Sequence, residues 1–156
     1  MAVLNIRIVG DPVLRSQAKA VESISEETGK LIDNMVDTMY RYNGIGLAAP
    51  QVGILQRIIV IDVGDNLIEM VNPRILSGEG QELREEGCLS IPEETGFVER
   101  KKRVKVRGLD REGKEINMEA EGLLARAFQH EIDHLNGVLF TDKTVQIEED
   151  EDRLKY

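Results

Sequence analysis

Apolar residues recur at three- and four-residue spacing in two stretches, Ile32, Met35 and Met39, then Leu124, Phe128, Ile132 and Leu135. That is the period of one buried face of an α-helix. Ser23, three residues before Glu26 and followed by two acids, marks the start of the first helix, which is expected to run to about Asn43 with Gly44 as its C-terminal cap. The second is expected from about Gly122 to Asn136, ended by Gly137. Elsewhere the pattern is that of strands. Arg57 to Val63 and Leu67 to Asn72 flank the turn Gly64-Asp65-Asn66, and Val104 to Leu109 and Lys114 to Ala120 flank Asp110-Arg111-Glu112-Gly113. The expected class is therefore α+β, with antiparallel strands packed around a central helix and a second, N-terminal helix.

The chemistry sits on the second helix. Beside its core stripe runs another, made of Leu123, Ala127, His130 and His134, which is free to face a cleft. An α-helix turns about 100° per residue, so imidazoles four apart project from one face and can hold one metal ion. The central helix thus reads as metal-binding. Glu131, between them in His130-Glu131-Ile132-Asp133-His134, falls beside such an ion and not on it, where a carboxylate can move protons on water. These are the only two histidines, so a third ligand must come from elsewhere. Cys88, the single cysteine, lies in Glu86-Gly87-Cys88-Leu89-Ser90 and would complete a Cys-His-His set with one coordination position left open, as catalytic sites have. Two alternatives stay open: a zinc peptidase that takes a glutamate from the acidic run Glu148 to Asp152, and a metal that only holds the fold together.

Composition narrows the class. A chain of 156 residues with 41% hydrophobic content can bury roughly two-thirds of its unfolded surface, enough for one core. One domain is expected over residues 1–147, followed by a short acidic tail, 148–156. A net charge of −9 argues against direct DNA binding, which draws its affinity from cations on phosphates. The basic run Arg100-Lys101-Lys102-Arg103 reads as a loop leading into the exposed face of a strand, with a weak contact to ribosomal RNA as its functional alternative. No apolar run approaches a membrane span and nothing reads as a signal peptide, so a cytoplasmic protein is expected. A lone cysteine forms no internal disulfide, which fits a reducing compartment.

Three segments in order, Gly44-Ile45-Gly46-Leu47-Ala48-Ala49-Pro50-Gln51, Glu86-Gly87-Cys88-Leu89-Ser90 and Gln129-His130-Glu131-Ile132-Asp133-His134, resemble the peptide deformylase family. Gly10-Asp11-Pro12-Val13-Leu14-Arg15, Val71-Asn72-Pro73 and Asn136-Gly137-Val138-Leu139-Phe140 extend the likeness over nearly the whole chain. The resemblance implies hydrolysis of the N-formyl group from the initiator methionine of nascent peptides, with a transient contact at the ribosome. It implies a divalent ion held by Cys88, His130 and His134, with Fe2+ as the active ion and Zn2+, Ni2+ or Co2+ as substitutes. It makes Glu131 the general acid and base, and Gln51 and the backbone N–H of Leu89 the oxyanion donors. Ile45 and Gly46 would meet the peptide backbone, while Leu123 and Ala127 would border the side-chain pocket. Glu86 and Asp133 are expected to orient a histidine or to pair with a cation such as Arg100. Two features depart from the family. The longer C-terminal helix that many members are proposed to use at the ribosome has no counterpart after the acidic run. Arg126 stands one turn before His130, where an apolar residue would be expected, and is placed at the pocket rim.

Overall fold

The run Ile58-Ile59-Val60-Ile61 has no polar position, and the computed structural model, which describes residues 2–146, shows why. Ile59 and Ile61 pack into a cluster with Phe128, Ile132 and Leu135, whereas Ile58 and Val60 pack with Ile32, Met35 and Met39. A strand whose alternate side chains meet a helix on either side has no face left for solvent.

The chain forms β1 (Gly46–Ala48), β2 (Ile58–Ile61), β3 (Ile68–Glu79), β4 (Glu82–Cys88), β5 (Ile91–Arg100), β6 (Arg103–Leu109), β7 (Glu115–Glu121) and β8 (Thr144–Val145). Helix α1 (Glu26–Arg41) precedes β1, and α2 (Leu123–Leu135) follows β7. A five-stranded sheet runs in the order β1-β2-β3-β6-β7 and a three-stranded sheet in the order β4-β5-β8, all pairs antiparallel. The mixed class with two helices is as expected. A third cluster, Leu14, Ile91, Val98, Leu139 and Phe140, fills the space under the smaller sheet.

Both helices differ from expectation only at their ends. The cap of α1 is Ser25, not Ser23, because the residue three positions on is Thr28, whose buried hydroxyl accepts the Ser25 N–H at 3.1 Å. Glu26 and Glu27 then occupy the first turn, where the helix dipole favours anions. At the other end Asn43, at φ 57°, takes the left-handed conformation expected of Gly44. Gly44 is small for another reason: a Cβ there would lie 2.7 Å from Leu89 Cδ1. Helix α2 closes as expected, with Gly137 at φ 74°.

The β4–β5 hairpin is absent from the hydrophobic pattern. Glu82-Leu-Arg-Glu-Glu-Gly-Cys88 carries charge on both faces, and only Glu86 in it is fully buried. Cross-strand pairing, from Glu82 opposite Arg100 to Cys88 opposite Ile91, forms it instead. The basic run is the loop into an exposed strand position that was expected, except at its first residue. Arg100 ends β5 with only 5% of its surface exposed, and the exposed Arg103 pairs with Glu79 and Glu121, which leaves Lys101 and Lys102 as the exposed cations of the run that have no ion-pair partner among the described residues. The acidic run Glu148 to Asp152, and with it the proposed tail and the domain end at 147, lies outside the described residues. Among the described residues no helix is long and apolar enough to cross a membrane.

Candidate metal centre

Helix α2 carries His130 and His134 on one face, and the end of β4 brings Cys88 to meet them. The ligand atoms of the three lie within 4.8 Å of one another, with Cys88 Sγ 3.3 Å from His134 Nε2. No other group of three or more such side chains is close enough to hold an ion among the described residues. The donor set suits a divalent transition ion: one soft sulfur and two imidazoles, with Glu131 Oε1 buried beside them and without a hydrogen-bond partner among the described residues.

The surroundings orient the rings. Nδ1 of His130 donates to Glu86 Oε1 at 2.9 Å, which leaves Nε2 as the free donor. Glu86 is in turn held by Arg100, through Nε at 2.8 Å and Nη2 at 3.0 Å, and Arg100 Nη1 reaches Asp133 at 2.6 Å. The pairing of Glu86 and Asp133 with Arg100 is thus present. Burial pushes the Glu86 carboxyl up, but hydrogen bonds from His130 and Arg100 outweigh it and hold the group well below the usual carboxylate range. His134 is kept neutral by burial first and by the positive charges of His130 and Arg100 second. Burial opposes charge on His130 as well, yet the Cys88 sulfur and Glu86 beside it lift that ring to about 10. The charged form of the His130 ring is thus favoured beside the Glu86 carboxylate, and a cation held at this ring would have to displace its proton.

Burial raises Glu131 to about 7, with the charges of His130 and Glu86 acting against each other. An acid whose folded pKa lies above its unfolded value holds a proton that unfolding releases, so stability falls as pH rises from about 4.5 to about 7. Glu131→Gln removes that loss. In the presence of chelator the variant should match the parent near pH 4 and exceed it at pH 8 by on the order of 1–3 kcal/mol, read by denaturant unfolding at both pH values.

A cavity of about 440 Å3 opens over this centre, and the residues expected at the site line it: Ile45, Gly46, Gln51, Cys88, Leu89, Leu123, Ala127, His130 and Glu131. His134 lies behind them, 1% exposed. Gln51 is buried in a 3-10 turn that starts at Ala49. Its Oε1 accepts the Ala48 N–H at 2.9 Å, while Nε2 donates to Ser90 Oγ at 3.1 Å and to Cys88 Sγ at 3.5 Å. One amide N–H is thus fixed by a hydroxyl and the other is directed at the centre. Ser90 had no signal in the sequence, since nothing there tells a fixed hydroxyl from a solvated one. Gly46 also has a reason the sequence did not show: a Cβ at that position would lie 2.5 Å from Glu131 Oε2. Its missing side chain makes room for the carboxylate as well as for any peptide.

Arg126 lines the cavity but lies buried in its wall and not at its exposed rim. It is 5% exposed, and its guanidinium bonds Glu86 Oε2 together with two backbone carbonyls. Its position on the ligand face was readable from the helical period. Its partner, 40 residues earlier in a strand with no hydrophobic signature, was not.

Comparison with known proteins gives a consistent result. The family model described as polypeptide deformylase matches residues 3–150. The chain is 60% identical over 152 residues to the peptide deformylase of Halothermothrix orenii, covering 96% of this chain and 99% of that one. To that of Carboxydothermus hydrogenoformans it is 56% identical over 147 residues, covering 94% and 97%. The crystal structure of peptide deformylase from Thermotoga maritima superposes with a TM-score of 0.92 at 49% identity, covering 94% of this chain and all of that one. A peptide deformylase from Synechococcus elongatus, solved in complex with actinonin, gives 0.90 at 45% identity, covering 97% and 84%.

Proposed function

We infer the activity from one premise: the chain belongs to the polypeptide deformylase family, whose model it matches over residues 3–150. It is a hydrolase that removes the formyl group from the N-terminal methionine of newly synthesised proteins and releases formate. The observation that carries this reading is the gathering of Cys88, His130 and His134 under a cavity with Glu131 beside them. Cys88 next to both imidazoles supports it over a peptidase, whose third ligand would fall in the acidic run.

In the reading we favour, those three residues hold one divalent ion, Fe2+ in the cell and Zn2+, Ni2+ or Co2+ as substitutes, on the single metal-binding helix α2. Such an ion, when bound, acidifies water and polarises the formyl carbonyl. Glu131 takes the proton from water as the oxygen adds to the formyl carbon. The same carboxyl returns it to the nitrogen as the C–N bond breaks, leaving formate and a free amine. The Gln51 amide and the Leu89 N–H stabilise the oxyanion between these steps. Ile45 and Gly46 offer backbone to the peptide, which adds along β1 as an extended strand, and Leu123 and Ala127 border the methionine side chain. Residues 1–147 form the catalytic domain, and the substrate's origin in translation puts the work in the cytoplasm. Any transient contact with the ribosome falls to the exposed Lys101 and Lys102, since Arg100 is turned inward.

The test is release of formate from a formyl-methionyl tripeptide by Fe2+-loaded protein without oxygen, with the unformylated tripeptide as control. Formate from the first and no cleavage of the second is expected. Cleavage of the internal bond of the control would favour the peptidase reading. Within this mechanism Gly46→Ala displaces the Glu131 carboxylate by way of the 2.5 Å approach described above. A misplacement on that scale should lower turnover roughly 10²-fold, with metal content unchanged by elemental analysis.

A further inference from the structure

Glu86 receives more donors than charge balance requires. Arg100 alone makes a two-pronged contact, Nε to Oε2 at 2.8 Å and Nη2 to Oε1 at 3.0 Å. A second arginine, Arg126, adds Nη1 to Oε2 at 2.5 Å. Arg126 also carries a cost, because its Nε–H is buried with no partner among the described residues. An arginine kept at one turn from His130 despite an unsatisfied donor calls for a role beyond filling space.

We propose that Arg126 is a positioning residue for the metal centre: with Arg100 it clamps the Glu86 carboxylate so that one oxygen is held against the His130 ring. Arg100 approaches both carboxylate oxygens alike and so does not choose between them. Arg126 comes from α2 and takes Oε2 only, which leaves Oε1 to accept from His130 Nδ1 at 2.9 Å. The same guanidinium bonds the Val98 carbonyl of β5 at 2.9 Å and the Glu82 carbonyl of β4 at 2.6 Å. Glu86 is two residues from Cys88 on β4. One side chain therefore ties the strand that supplies the thiolate to the helix that supplies both imidazoles, and fixes the distance between them. This rests on the Cys88, His130 and His134 reading of the metal site.

Co2+ binding to the whole protein is the test, read as affinity by competition with a chelator and as the visible absorption bands of the bound ion. Arg126→Met keeps much of the volume and removes the donors. It should weaken Co2+ binding by about 10- to 100-fold and shift the bands. In a Glu86→Gln background the same change should add little, because the arginine acts through the carboxylate. An Arg126→Met protein with parental affinity and spectrum overturns the proposal, and so does an equal loss in both backgrounds, which is the mark of packing alone. Should Arg126→Met fail to fold, Arg126→Lys decides. Its single ammonium cannot serve Glu86 and two carbonyls with the same geometry, so shifted bands support the clamp and unchanged affinity and bands overturn it. A parent protein that takes up no Co2+ is a different result and removes the metal reading underneath.

Discussion

Turnover of a formyl-methionyl peptide by the Glu131→Ala protein is expected to fall about 10²- to 10⁴-fold, with the metal retained. The carboxylate is 4% exposed and follows His130 directly, and its Oε1 has no hydrogen-bond partner among the described residues. A buried acid in that condition contributes nothing to packing that alanine would lose at great cost. Removing it relieves a desolvated group whose ionisation burial already opposes. What is lost is, among the described residues, the only carboxylate beside Cys88, His130 and His134 that is not already engaged by an arginine or a histidine, and with it the route for a proton from water to the leaving nitrogen. Steady-state kinetics on anaerobically loaded protein, paired with elemental analysis, measures both halves. Loss of the ion along with activity would make Glu131 a ligand and overturn its assignment as acid and base.

Cys88→Ser is expected to strip the ion. A neutral hydroxyl replaces a soft anionic donor, and the remaining pair of imidazoles is a weak site for a divalent ion. Occupancy after dialysis should drop by about tenfold or more, and turnover should fall with it. The fold should survive in chelator, since Cys88 is only half-buried at the edge of the cluster of Leu14, Ile91, Val98, Leu139 and Phe140. His130→Ala should lose the ion as well. It should also destabilise the metal-free protein, because Glu86 would keep its two arginines but lose the ring it is packed against. A Cys88→Ser protein with full metal content and full turnover would show that the third ligand lies elsewhere.

The sequence by itself determined the parts of this protein whose cause is local. Apolar spacing at 32, 35 and 39 and at 124, 128, 132 and 135 defined two helices, because a helical period forces those side chains onto one face. The four-residue spacing of His130 and His134 placed both rings on one face for the same reason, where with Cys88 they could hold an ion. Cys88 was reached by elimination, with no third histidine available, and the three motifs in order pointed to the family. Tertiary structure decided what depends on distant partners. The β4–β5 hairpin has charge on both faces, so no alternation marked it, and it exists through pairing across strands and through Glu86 buried against two arginines. Gly46 was expected from its motif only to meet a peptide backbone, and the approach of Glu131 from another element shows what else its missing side chain makes room for. Arg126 stood on the correct face from the start, but its meaning is electrostatic. A buried guanidinium is stable only against anions and carbonyls that the chain supplies from 28 to 44 residues away, a separation that no local pattern records.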